Sequence, residues 1–177
     1  MTTIPTLETQ RLILRGFTQA DFEPLAAFFA DEASARFVGG VETYAGVWRR
    51  MAFYIGHWDL RGYGMFALED KSSGQFAGYC GPYNPIDWPE PEIGYGLLPA
   101  FQGKGLMTEA ARRCISFAYD ELGWTTAMSS IDPNNAPSRA VVERLGARFE
   151  KHAQVSDFTA DIYRHLDPTE FRKTLNS

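Results

Sequence analysis

The chain has 177 residues, 45% of them hydrophobic and 22% charged, and 17 Lys and Arg against 22 Asp and Glu leave a formal net charge of −5. That length suits a single domain, taken as 1–177 with its core at about 7–166, that buries about 70% of its unfolded surface without staples. The acidic balance argues against a nucleic-acid partner, which needs a basic face to neutralise phosphates, and no window approaches the roughly 18 apolar residues of a membrane span.

In chain order, Arg11 to Phe17 alternates loosely as a first strand, and Thr18 then opens a helix whose third residue is Asp21, a capping box in carboxylate form. Leu25, Phe28 and Phe29 supply that helix's apolar face. A second helix runs from about Thr43 to about Leu60, rich in Trp48, Phe53, Tyr54, Ile55 and Trp58, until Gly62 and Gly64 break it. Met65 to Glu69, Phe76 to Gly81 and Ile93 to Leu98 read as strands, the first two joined by a turn at Lys71-Ser72-Ser73-Gly74. Apolar positions 110, 111, 114, 115, 118 and 122 then repeat with helical spacing until Gly123. Thr125 to Ile131 is a strand, Pro137 to Leu145 a helix ended by Gly146, and Phe149 to Gln154 with Asp161 to Leu166 a final strand pair. Strands first, then βαβαββ, make an α/β (α+β) fold with helices on both faces of a mixed central sheet of six to seven strands.

The junction Pro99-Ala100-Phe101-Gln102-Gly103-Lys104-Gly105-Leu106-Met107-Thr108-Glu109 joins an apolar strand to an amphipathic helix through glycine. A helix's first turn points free N–H groups outward and adds about half a positive charge, so it can hold phosphate without a dedicated cation. The spacing fits neither a Walker loop, which needs a Lys-Ser or Lys-Thr pair, nor Gly-x-Gly-x-x-Gly, because position 108 is Thr. Cys80 and Cys114 lack metal or redox spacing and read as small buried hydrophobes in separate apolar contexts. His57, His152 and His165 are scattered without ligand spacing, so no metal site is expected. The amino terminus carries neither a charged leader nor a signal-type apolar core, and the expected location is cytoplasmic.

Gln102, Gly103, Lys104 and Gly105 resemble the pyrophosphate loop of the GCN5-related N-acetyltransferases, the GNAT superfamily; Met107 departs from that pattern and has to point away from the phosphates. Upstream, Glu92-Ile93-Gly94-Tyr95 is similar to the family's splayed strand, whose free backbone groups pair with the pantetheine arm. Downstream, Asn135, Ser138 and Leu145-Gly146 resemble its second signature. Leu7 to Arg15, followed by Asp21-Phe22, looks like the opening of the branch that acetylates amino termini of ribosomal proteins. The resemblance implies the GNAT fold, with a splayed strand pair holding acetyl-CoA as co-substrate. Tyr95, Gly96 and Leu97, the loop residues Gln102, Gly103, Lys104, Gly105, Leu106, Met107 and Thr108, and Asn135 with Ser138 would then contact the cofactor.

Acyl transfer from a thioester needs a base for the attacking amine, an oxyanion donor and a partner for the thiolate, and no Ser/His/Asp constellation. Glu92 is the candidate base, acting through a water. The backbone N–H near Tyr95 or Leu97 is the oxyanion donor, with Gly94 and Gly96 allowing close approach, and Ser138 is the hydrogen-bond donor to the thiolate. Many members of the family carry a tyrosine acid four residues beyond that serine; position 142 here is Val. Phe37, Trp48, Tyr54, Trp58, Tyr83 and Trp88 are the candidate acceptor wall, and Asp87, Glu90 and Glu92 could draw in an ammonium. The expected function is transfer of an acetyl group to a primary amine, on a protein amino terminus or a small molecule. A longer acyl-CoA donor and a catalytically silent CoA-binding or regulatory module stay open, and so does a homodimer, which is a habit of that family.

Overall fold

The computed structural model describes residues 3–175. Thr9 sets its first turn: the hydroxyl accepts the Leu12 N–H at 2.9 Å and folds β1 (Leu7–Glu8) back on β2 (Leu12–Arg15). Arg15 then forks onto Asp21 with Nη1 and Nη2 at 2.8 and 3.0 Å, and gives Nε to Glu69 at 2.7 Å. Asp21 also accepts the Thr18 N–H at 2.7 Å, so the turn Gln19–Asp21 and α1 (Phe22–Ala30) start from a fixed point over the sheet. Asp31 caps α2 (Glu32–Ala35), and Thr43 caps α3 (Tyr44–Arg61), which ends at Gly62 in the left-handed region at φ 77°.

After α3 come β3 (Phe66–Asp70), β4 (Phe76–Tyr83), β5 (Glu92–Leu97), α4 (Leu106–Asp120), β6 (Met128–Ile131), α5 (Ala136–Arg144), β7 (Arg148–Val155), β8 (Phe158–Arg164) and α6 (Pro168–Leu175). They form one mixed sheet in the order β1-β2-β3-β4-β5-β6-β8-β7, antiparallel throughout except between β5 and β6. The expected six to seven strands are thus eight among the described residues. The additional one is β1, whose two residues are too few for an alternating pattern to show.

The sheet has a helical layer on each face. Ala110, Ala111, Cys114, Ile115 and Ala118 of α4 pack with Leu12, Leu14, Phe66, Leu68, Cys80 and Ile93. On the other face Leu25 and Phe29 of α1 and Val47, Met51 and Tyr54 of α3 pack with Ala67, Phe76 and Tyr79. Alternation along each strand serves both layers.

Four expectations are corrected. The sixth strand begins at Met128 rather than Thr125: its register with β8 runs over Met128–Ile131, and only one further in-register bond, from the His165 N–H to the Ala127 carbonyl, extends it towards Thr125. The helices α2 and α6 were not anticipated; Asp167 starts α6 by accepting from Thr169 and Glu170 N–H at 2.8 and 3.0 Å, and Phe171 buries it. Cys80 and Cys114 do not lie in separate contexts, since their thiols meet between β4 and α4, where burial pushes the Cys80 thiol up. Trp58 does not face an acceptor: it is 2% exposed, stacks edge-on to Phe66 and donates Nε1–H to the Met65 carbonyl at 3.0 Å.

Trp58→Phe is therefore expected to behave as a core substitution. It leaves the Met65 carbonyl unpaired and should lower the unfolding free energy by about 1–3 kcal/mol in a urea titration. An unchanged midpoint would mean that the indole is not part of the core.

Candidate active site

The site grows from the gap between β5 and β6, where the sheet stops pairing after a single register pair. Between β4 and β5 the register is unbroken from Gly78↔Leu97 to Tyr83↔Glu92, and Leu98 N–H reaches the Ala77 carbonyl at 2.9 Å. Alternation then turns the N–H groups of Gly94 and Gly96 toward β4 and those of Ile93, Tyr95 and Leu97 toward β6. Yet β5 and β6 share a single register pair, Glu92↔Met128. One step further a parallel ladder would join Ser130 N–H to the Ile93 carbonyl and Tyr95 N–H to the Ser130 carbonyl. Instead Ser130 N–H goes to Glu92 Oε1 at 3.1 Å, and Ile93 gives its carbonyl to the Ser129 hydroxyl at 2.8 Å. Two side chains thus replace the ladder, the strands fork, and the N–H groups of Tyr95 and Leu97 face the opening.

Gly94 and Gly96 serve the fork differently from the expectation. A Cβ on Gly94 would stand 2.6 Å from Met65 Cε, and one on Gly96 2.6 Å from the Tyr79 ring. The missing side chains make room for packing on the α1–α3 face, while the ladder with β4 continues without a bulge.

Glu92 sits at the crotch, 6% exposed, and accepts from Trp88 Nε1–H, from Ser130 N–H and from the Ser130 hydroxyl at 2.8 Å. Burial outweighs these three donors and pushes its carboxyl up to about 7. The proton is held more tightly in the folded than in the unfolded chain, so its stabilising effect is complete below about pH 4.5 and is lost as pH climbs through 7. Ionisation there opposes folding by about 3 kcal/mol. A carboxylate kept at such a cost, in a cavity, is a mark of a functional group.

That cavity holds about 680 Å³. The loop Arg36–Gly40, Arg50 and Tyr54 of α3, Tyr83, Trp88 and Phe158 wall it on one side, and Glu92, Tyr95, Asn135 and Ser138 line its floor and far end. The phenol of Tyr95 accepts from the Ser138 hydroxyl at 2.9 Å and donates to the Ser138 carbonyl at 3.2 Å. Asn135 spends its Oδ1 on capping α5, accepting the Ser138 N–H at 3.2 Å. Of the expected acceptor wall, Phe37, Tyr54, Tyr83 and Trp88 are in place; Trp48 is 54% exposed on α3 and does not line the cavity.

The loop residues lie apart from this cavity, beyond the far end of β5. Gly105 begins α4 at φ 76° with no side-chain cap, so the N–H groups of Leu106, Met107 and Thr108 point outward unpaired. The side chains of Leu106 and Met107 are buried in the core, and Met107 leaves the helix end clear. Thr108 Oγ1 is buried without a partner. Gln102 reaches back to the Leu97 carbonyl at 2.9 Å, and Lys104 Nζ folds onto the Ala100 carbonyl at 2.8 Å. The open edge of β5, through Tyr95, Gly96 and Leu97, runs between the uncapped start of α4 and the cavity.

A family model described as "Acetyltransferase (GNAT) domain" matches residues 11–148. The chain belongs to the GNAT acetyltransferases. The crystal structure of an acetyltransferase from Agrobacterium tumefaciens str. C58 superposes on this GNAT enzyme with a TM-score of 0.86 and 31% identity, covering 93% of this chain and 95% of that one. The N-acetyltransferase p20 of Bacillus licheniformis is 28% identical over 92% of each chain. YkkB of Bacillus subtilis is 34% identical over 102 residues, 54% of this chain and 59% of YkkB. Among the described residues no helix of the GNAT enzyme is long and apolar enough to cross a membrane.

Arg11 and the serines of β6 escaped the sequence reading. Arg11 gives its N–H and Nε to the two oxygens of Glu109 at 2.8 and 2.7 Å and Nη1 to the Lys104 carbonyl at 2.8 Å, clamping the loop to the start of α4. A pair of serines inside an apolar strand, Met128-Ser129-Ser130-Ile131, was the available signal for the fork. Arg11→Ala should release the loop and raise the Kd for CoA about tenfold, roughly 1.4 kcal/mol by titration calorimetry. An unchanged Kd would show that the loop holds its shape unaided.

Proposed function

We propose that this GNAT enzyme moves an acetyl group from acetyl-CoA directly to a primary amine within a ternary complex. The observation that carries the reading is Glu92, a buried carboxyl titrating near neutrality where the unpaired edge of β5 opens into the cavity. The residues present suit the donor. The free N–H groups at the start of α4 and its dipole suit a pyrophosphate, and the open edge of β5 suits the amides of a pantetheine arm. Aminoglycoside acetyltransferase AAC(6')-Ib, solved in complex with coenzyme A, shares the fold at a TM-score of 0.77 and 19% identity over 93% of this chain and 99% of that one. That likeness supports a fold able to hold coenzyme A and says nothing of the acceptor.

In this reading the amine enters past Phe37, Tyr54, Tyr83, Trp88 and Phe158, and Glu92 removes its proton through a water. Attack on the thioester carbonyl places the oxyanion at the N–H of Tyr95 or Leu97, donors already fixed by the ladder to β4. The aromatic wall suits an acceptor with an apolar body, whether a protein amino terminus or a small molecule. Met107 and the tyrosine missing at position 142 are the two features that favour a silent module; of these, Met107 packs in the core and leaves the helix end open.

The pH dependence of kcat/KM with acetyl-CoA and an amine acceptor tests this. As a base Glu92 works only when ionised, so the rate should rise with unit slope as pH increases and level off above about 7. Glu92→Gln should lower kcat by about 100- to 10,000-fold, flatten that limb and leave CoA affinity nearly intact. An acidic limb that is the same in the variant as in the parent would remove Glu92 from the role.

A further inference from the structure

The fork divides the reaction between the two faces of β5. Alternation puts Glu92 on the face of α1 and α3, with Gly94 and Gly96, and puts Ile93, Tyr95 and Leu97 on the face of α4 and α5. A donor whose phosphates lie at the start of α4 reaches the fork from the second face, so its sulfur departs on the side of Tyr95, opposite the base. We infer that the Tyr95 phenol, rather than the Ser138 hydroxyl, gives the departing thiolate its proton. This assignment rests on the proposal that acetyl-CoA occupies the open edge of β5.

The hydrogen bonds separate the two candidates. The Ser138 hydroxyl proton is committed to the phenol oxygen at 2.9 Å. The phenol proton lies toward the Ser138 main-chain carbonyl at 3.2 Å, long for an O–H donor, so turning it to a sulfur gives up little. Ser138 then donates to the phenolate that remains and steadies it, which makes Ser138 a positioning residue. Val142 accounts for the tyrosine missing from α5. It is fully buried with Ile131, Ala147 and Tyr163, and the Tyr95 ring packs against that cluster, so the strand supplies a phenol close to where the helix lacks one.

The step balances. The amine nitrogen bonds the acetyl carbon and its proton passes through water to Glu92; the carbon–sulfur bond breaks with its electron pair on sulfur; sulfur takes the proton from Tyr95 Oη. Solvent then returns a proton to the phenolate and removes one from Glu92.

The test uses acetyl-CoA with hydroxylamine, an acceptor small enough for any amine site, and follows CoA thiol release, with CoA binding measured separately by calorimetry. Tyr95→Phe should bind CoA within about twofold of the parent and lose about 100-fold or more in kcat, while Ser138→Ala should lose roughly tenfold or less. Replacing Tyr95 by 2,3,5-trifluorotyrosine keeps the ring and acidifies the phenol. It should introduce a fall in kcat at high pH that the parent lacks up to about pH 10. A greater loss in Ser138→Ala than in Tyr95→Phe, or no new high-pH fall with the fluorinated ring, overturns the assignment. A parent that fails to bind CoA, or binds it and releases no thiol, overturns the proposed function beneath it.

Discussion

A backbone N–H inside a fold must find a partner, and the break between β5 and β6 is where this molecule turns that constraint to use. Had Ser130 N–H bonded the Ile93 carbonyl, the parallel ladder would have continued and closed the sheet. The Glu92 carboxylate takes that N–H, and the Ser129 hydroxyl takes that carbonyl. The first donor left over is Tyr95 N–H, two residues on is Leu97 N–H, and both look into the opening. The buried carboxylate and the two free N–H groups are therefore products of one structural event, since the residue that wedges the strands apart is also the one that leaves those donors unpaired.

The energetics point the same way. A glutamine or an apolar residue at position 92 would spare the fold the burial of a carboxylate, and the three donors around Glu92 lower its proton affinity without bringing it back to that of an exposed glutamate. The outcome is a carboxyl half-ionised near neutral pH, the range in which a proton acceptor combines availability with strength. Elsewhere the molecule satisfies its charges in ordinary ways, as Arg15 does between Asp21 and Glu69, and as Arg50 does with Glu42 while lying over the Phe29 ring at 4.5 Å. The contrast sets Glu92 apart from the structural ion pairs.

Local signals were legible and non-local ones were not. The capping box at Thr18 and Asp21, the break at Gly62, the helix after Gly105 and the splayed strand at Glu92 each depend on a few adjacent residues, and each stands where the sequence puts it. Trp48 and Trp58 lie on one aromatic helix with Tyr54, and spacing cannot say which aromatic faces the core, the cavity or solvent; Trp58 is core, Tyr54 lines the cavity and Trp48 is exposed. The partner of Arg11 is 98 residues away, so nothing near it announces the clamp. Gly94 and Gly96 suggest room for a ligand in sequence alone, whereas Met65, just before β3, and Tyr79 of β4 fill that room, and adjacency along the chain does not show that alignment.

That the fork holds the donor by its backbone is tested most directly by residue-resolved amide hydrogen exchange with and without acetyl-CoA. Gly94 and Gly96, bonded to β4, should be protected in both states, while Tyr95 and Leu97 should exchange quickly alone and slow on addition of acetyl-CoA, together with Leu106, Met107 and Thr108. Binding that leaves the amides of Tyr95 and Leu97 as fast as before would contradict the account, because the donor would then lie somewhere other than the open edge of β5.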